Sequence, residues 1–189
     1  MAFIIPSPRP GLDYRPGQFL FTCTPDSTLS RSIGLETARA AWESNAIVAT
    51  HVALITSPDE IVEAWWPHWR RSSLLARLSA RDVLCWPKTP KGQTPQAEWK
   101  TIQLAQGWVD SGMGYDEGAI AGFVLSDGDD CDPAPYWLEE SDAMTCSEGA
   151  VQLLLQTEYL RTVSLPTEFK AIHPSRISPQ GLLSSNIWE

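Results

Sequence analysis

Hydrophobic and polar positions along this chain alternate in short stretches and repeat with helical spacing in longer ones. Residues 18–23 and the β-branched run Ile47-Val48-Ala49-Thr50-His51-Val52-Ala53-Leu54-Ile55-Thr56 read as strands. The turn signal Ser57-Pro58-Asp59 separates the second run from a further strand, Glu60 to Trp65. Apolar positions three and four apart predict a helix over 33–44, with Leu35, Ala38 and Trp42 along one face, and an amphipathic helix over 96–111 that stops near Gly112. A short helix is expected over 72–79, a strand over 83–86 and a Pro- and Gly-containing loop over 88–96. From Thr145 to about Arg161 the sequence predicts a third amphipathic helix, with Val151, Leu154, Leu155 and Tyr159 on its apolar face. The Pro-rich residues 1–16 are expected to be extended, and Ala171-Ile172 with the C-terminal segment completes a single domain over 1–189.

The start of the third helix carries the most informative chemistry. Thr145 and Glu148 have capping-box spacing: the Thr hydroxyl accepts from the amide three residues on, and the Glu carboxylate reaches back to the Thr amide. Cys146 is then the first helical residue, where unpaired amides and the positive end of the helix dipole favour a thiolate. Gly149 lowers the helix propensity of the next positions.

A thiolate needs a base, and the chain has three histidines, His51, His68 and His173. His51 shares a strand face with Ile47, Ala49, Ala53 and Ile55 by the period of two. If the runs 47–56 and 60–65 pair about residues 57–58, Glu63 falls opposite His51 or one diagonal step away, on the same face in both registers. A carboxylate in that place fixes the imidazole tautomer and stabilises the imidazolium. His68 lies in Trp65-Trp66-Pro67-His68-Trp69, read as a loop, and a strand holds an imidazole more rigidly than a loop does. Taken singly, a Cys among apolar neighbours is an inert core residue, a strand His is a satisfied one and Glu63 belongs to a solvated face. Their coincidence supplies a nucleophile, a base and an orienting acid.

The order His, Glu, Cys, carried by Thr50-His51-Val52-Ala53-Leu54-Ile55, Val62-Glu63-Ala64 and Cys146-Ser147-Glu148, resembles the circularly permuted papain-like enzymes of the NlpC/P60 superfamily, the YiiX-like group. Pro16-Gly17-Gln18-Phe19-Leu20-Phe21 before Ser27, Ser30 and Ser32, then Gly114-Tyr115-Asp116 and Ile177-Ser178-Pro179-Gln180-Gly181-Leu182, add to the likeness, which spans roughly residues 14 to 183. Thr145 stands where many relatives carry Tyr, and Gly149 where a larger apolar residue is more frequent. The resemblance implies an α+β fold in which an antiparallel sheet packs against the helix bearing the nucleophilic Cys, with residues 118–125 helical. It further implies a cysteine peptidase or amidase with Cys146 as nucleophile, His51 as base and Glu63 as orienting residue. Peptide amides of bacterial cell-wall fragments are the implied substrate, and no cofactor is implied.

Composition then narrows the alternatives. With 189 residues and 43% hydrophobic content the chain fits one domain with a sizeable core. A net charge of −9 argues against nucleic-acid binding, and the basic cluster Arg70-Arg71 with Arg77 and Arg81 reads as a helix face. No apolar run is long enough to span a bilayer, and Met1 to Pro6 lacks the pattern of a signal peptide; a cytoplasmic location is expected, with a virion or non-classical export as other routes. Cys23, Cys85, Cys131 and Cys146 form no Cys-x-x-Cys pair, and disulfides among them are left open by their number. Asp127-Gly128-Asp129-Asp130-Cys131-Asp132, within the acidic loop 126–136, lacks the later Glu of a calcium loop, so no metal site is expected. Nine Trp are present, and Trp65 and Trp66, with Tyr115, are either the wall of a substrate groove or cover over the core. Two other function classes remain in view: a lipid-directed thiol enzyme acting on acyl esters, and a non-enzymatic assembly component with this fold, for example in a phage tail.

Overall fold

The computed structural model describes residues 9, 11–23, 49–79, 84–118, 143–157 and 177–189. Five strands, β1 (Phe19–Cys23), β2 (His51–Ile55), β3 (Glu60–Trp65), β4 (His68–Ser73) and β5 (Leu84–Lys88), form one antiparallel sheet in the order β4-β3-β2-β1-β5. Four described helices, α1 (Leu74–Ser79), α2 (Pro95–Asp110), α3 (Cys146–Gln156) and α4 (Pro179–Ser184), complete an α+β architecture. None of the described helices is long and apolar enough to cross a membrane.

Period-two alternation divides the sheet's side chains between two cores. Phe19, Phe21, Val52, Leu54, Val62, Ala64 and Trp69 pack on one face against Ala105 and Trp108 of α2 and Ala150, Val151 and Leu154 of α3. Leu20, Ala53, Ile55, Ile61 and Cys85 point the other way and close a smaller core with Tyr14 and Leu74. The helix α2 starts as its sequence demands, with Thr94 accepting from the Ala97 amide and Pro95 in the first turn, where its missing N–H costs nothing. Its buried residues Ala97, Thr101, Ala105 and Trp108 make one stripe.

Three expectations are corrected. Residues 68–73 form strand β4, so Arg70 and Arg71 stand on a strand and not on a helix face. Their polar stretch lacks apolar alternation because β4 is an edge strand, and pairing with β3 is what makes it a strand. Trp66-Pro67 is the turn of the β3–β4 hairpin rather than part of a longer loop. The described part of the N-terminal segment turns instead of extending: Gly11 and Gly17 adopt φ of 75° and 80°, and the Gly11 amide donates to the Tyr14 carbonyl. Smaller differences are the end of α3 at Gln156, capped by Thr157, against an expected end near Arg161, and the start of β5 at Leu84. The helix expected over 33–44, residues 119–125 of the one expected over 118–125, the acidic loop 126–136, His173, Ala171-Ile172, Cys131, Arg81 and the Ser27, Ser30 and Ser32 segment lie outside the described residues.

Gly149 acquires a reason in the fold. A Cβ built there would lie 2.2 Å from Cζ2 and 2.4 Å from Cη2 of Trp69, whose ring stacks edge-on against Trp108 at 5.1 Å. The glycine lets β4's buried Trp lie directly on α3. Gly149→Ala should therefore destabilise the protein by about 1–3 kcal/mol through overpacking, although alanine by itself would favour a helix by about 1 kcal/mol. Urea unfolding decides the sign, and a gain in stability would mean that Trp69 yields without cost.

Candidate active site

The capping box predicted for Thr145-Cys146-Ser147-Glu148 is present in full. Thr145 Oγ1 accepts from the Glu148 amide at 3.2 Å, and the Thr145 amide donates to Glu148 Oε2 at 3.4 Å. Cys146 is thereby held as the first residue of α3, only 5% exposed. The capping box occupies the Thr145 and Glu148 amides and leaves that of Cys146 at the helix mouth. Gly114 helps place this start: it bridges to Ala143 on one side and His68 on the other, and its carbonyl accepts from the Met144 amide.

The register of β2 on β3 places Glu63 opposite Ala53, which centres the hairpin on Pro58 and sets Glu63 one diagonal step from His51. The two side chains meet: His51 Nε2 lies 2.9 Å from Glu63 Oε2. Nδ1 is the nitrogen left for the Cys146 thiol, with which His51 shares a hydrogen bond. The ladder ends at the Ala53 to Glu63 pair, and beyond it the Val52 N–H donates to the Cys146 sulfur, as does that of Ser147. The end of the sheet thus opens where the capped helix enters it.

Charge follows from this geometry. Burial alone would push the Cys146 thiol up, but the adjacent His51 imidazolium, its hydrogen bond and the two amides outweigh burial and hold the thiol below its ordinary value. Burial likewise pulls His51 down, and the Cys146 thiolate and Glu63 carboxylate overcome it, raising the imidazole to about 9. Glu63 is completely buried; desolvation opposes its ionisation, yet His51, Arg77 and Ser72 keep it well below the usual carboxylate range. By contrast, burial pushes the thiol of Cys85 up to about 11 and that of Cys23 upward. All three described cysteines are free thiols.

The other residues singled out from sequence divide. Trp65 stands at the site: its ring meets His51 edge-on at 5.8 Å, and it is 40% exposed. Tyr115 is half-buried in the main core with its amide on the Pro67 carbonyl, and its phenol is raised by burial first and by the nearby Cys146 next. Trp66 occupies the hairpin turn, largely exposed, with its indole N–H on Glu117. His68 pairs with Trp65 at the other end of that turn. Trp69, Trp108 and Trp188 are core residues. Among the described residues no group of three or more His, Cys, Asp and Glu side chains is arranged to hold a metal ion.

Sequence reasoning missed Arg70, Ser72 and Arg77, all of which bind Glu63. The signal for them was Glu63 itself. A carboxylate flanked by Val62 and Ala64 in a buried strand needs cationic or hydroxyl partners, and the neighbouring polar run supplies them.

The ionisation differences predict alkylation selectivity. At neutral pH iodoacetamide should modify Cys146 at least about tenfold faster than Cys23 or Cys85, since the thiolate is the reacting species and all three thiols are similarly buried. Peptide mapping of the modified protein gives the order, and preferential labelling of Cys85 or Cys23 would contradict the assignment. Compared with protein-family models, curated proteins and solved structures, the chain matches none of them.

Proposed function

We propose that this protein is a thiol hydrolase of acyl compounds, with Cys146 as nucleophile, His51 as general base and acid, and Glu63 as the residue that orients His51. The observation that carries this reading is the joined array of a capped helix-start thiol, an imidazole hydrogen-bonded to it, and a buried carboxylate 2.9 Å from the imidazole's other nitrogen. The Cys146 thiolate attacks an amide carbonyl, and the oxyanion that forms is met by the Cys146 N–H at the α3 terminus. His51 passes its proton to the leaving amine as the C–N bond breaks, giving a thioester. His51, now neutral, takes a proton from water as the hydroxide attacks the thioester; the C–S bond breaks, the acid product leaves and the Cys146 thiolate is restored beside the His51 imidazolium.

The antiparallel sheet packed against the Cys146 helix supports the further proposal that the chain adopts a permuted papain-like fold. Under this reading the substrate is a peptide amide of peptidoglycan fragments, with Trp65, Trp66 and Tyr115 beside the acyl chain and no cofactor. The deciding experiment is a mass-spectrometric digest of purified peptidoglycan, with acyl esters assayed in parallel, by the wild-type protein and Cys146→Ala. New muropeptide products that require Cys146 support the proposal. Ester cleavage alone transfers it to a lipid-directed thiol enzyme, and inertness toward both classes favours an assembly role.

A further inference from the structure

Glu63 holds more positive charge than the orientation of one imidazole requires. Its Oε2 atom receives His51 Nε2 at 2.9 Å and Arg77 Nη2 at 2.5 Å. Its Oε1 atom receives Ser72 Oγ at 2.7 Å and Arg70 through Nη2 at 3.2 Å and Nε at 3.4 Å. Arg77 is mostly buried and Arg70 is half exposed, and their guanidinium carbons lie 4.9 and 4.6 Å from the centroid of the Trp65 ring. The ring shields both cations from water on one side and is attracted to them. One carboxylate against two guanidiniums leaves a surplus positive charge beside His51, before the Cys146–His51 pair is counted.

We propose that Arg77, assisted by Arg70, is a positioning residue for the thiol chemistry, holding Glu63 in place and offsetting its charge so that the His51 imidazolium depends on the Cys146 thiolate. The inference rests on the Cys146–His51 reading above and adds a requirement that the reading by itself does not contain. Before acylation the thiolate keeps the proton on His51, ready for the leaving amine. Once the sulfur is acylated, its negative charge is gone. A bare buried carboxylate would still hold the proton on His51, and an imidazolium has no lone pair with which to take a proton from water. With Glu63 already matched by Arg77 and Arg70, His51 stays neutral after giving its proton to the leaving amine and serves as base for thioester hydrolysis.

The groups around His51 leave this role to the two arginines. Cys146 approaches from α3 and Glu63 from β3, the Thr22 hydroxyl stands opposite on β1, and the Trp65 ring lies against the imidazole. Tyr115 interacts with Cys146 and is held neutral. Cys85, the titratable group on β5 that senses Arg77, is kept as a thiol by burial. Among the described residues, Arg77 from α1 and Arg70 from β4 are the guanidinium groups that pair with Glu63.

The test uses the full-length Cys146→Ala protein, in which the missing sulfur reproduces the uncharged state of the acylated enzyme, and follows the His51 imidazole by NMR across pH. Adding Arg77→Met should raise the His51 midpoint by about one pH unit or more, since a cation is removed from beside the imidazolium at low effective dielectric. Arg77→Lys, which keeps the charge, should restore the midpoint to that of Cys146→Ala. Arg70→Met should move it in the same direction by less, because Arg70 is more exposed and screened, and it decides the matter if Arg77→Met does not fold. Midpoints unchanged or lowered in the methionine variants would overturn the proposal. Failure of the underlying reading shows separately, as a wild-type Cys146 that iodoacetamide does not find as a thiolate.

Discussion

Cys146→Ala should abolish turnover, by roughly 10⁴-fold or more, while leaving the fold intact, and His51→Ala should lose nearly as much. Alanine in place of Cys146 keeps the capping box, because Thr145 and Glu148 make it, and removes only a buried sulfur at the helix mouth. Combining the two changes should cost little beyond either one, since nucleophile and base act as a unit. The kinetic measurement is kcat/KM on whichever acyl substrate the wild type cleaves. Turnover by Cys146→Ala within about tenfold of the wild type would remove the thiol from the mechanism. Because the proposed mechanism draws on a thiolate and an imidazolium together, kcat/KM should fall at low pH as the thiolate is protonated and fall again as His51 loses its proton toward about 9.

Loss of the Glu63 charge should produce the second large effect, and it acts on both stability and rate. Glu63→Gln keeps the side-chain shape but leaves Arg77, mostly buried, and Arg70, half exposed, against a neutral amide. Breaking a buried ion pair on one side costs about 3–5 kcal/mol; the exposure of Arg70 discounts its share, so we expect about 3 kcal/mol, read by denaturant unfolding. The folded variant should also show kcat lowered by about 10 to 10⁴-fold with KM little changed, because His51 loses the group that orients it. A purely structural Glu63 would give the stability loss with kcat intact, so the two measurements separate the roles.

The linked pH dependence has a definite sign. His51 has its native value raised above the ordinary 6.5, so its stabilisation is complete below 6.5 and is lost as pH rises through about 9. Glu63 has its native value depressed, so its contribution is present above the ordinary 4.5 and is lost as pH falls toward that lower native value. Cys146, whose native value is depressed, runs opposite to His51: its contribution is present above the ordinary 9 and is lost as pH falls, so it offsets the alkaline loss of His51 and adds to the acid loss of Glu63, and net stability should fall mainly on the acid side. Glu63→Gln should flatten the acid loss, because the carboxylate whose charge is lost there is gone.

Much of the candidate site was legible from residue order. The Thr145 to Glu148 spacing specifies a helix start by local hydrogen bonds alone, and the structure contains both of them. His51 and Glu63 share a face because side chains alternate along strands and Ser57-Pro58-Asp59 turns the chain between them. The choice between the direct and the diagonal position hinged on one residue of turn geometry, which composition of the turn leaves open. Helix α2 was legible to within a residue from its apolar spacing, while the Thr94 cap and Pro95 that fix its start fall within the stretch 88–96 that reads as a loop.

Strand β4 was not legible, because His68 to Ser73 carries no apolar alternation and becomes a strand through its ladder with β3. Its residues Arg70 and Ser72 reach Glu63 only by that pairing. The meaning of Gly149 was hidden for a similar reason: in the helix alone it is a weakness, and against Trp69 it is the residue that allows contact. By itself the sequence determined what rests on neighbours within a turn or a hairpin: the capped thiol, the strand histidine, the carboxylate on its face and the alternation that makes a two-sided sheet. The tertiary structure alone decided what depends on distant segments meeting: the reach of His51 to Cys146, and the arrival of Arg77 and Arg70 at a buried carboxylate. Local hydrogen bonds and side-chain periodicity act over a few residues and are written in spacing, whereas the desolvation and charge pairing that set each ionisation exist only once the chain has folded around them.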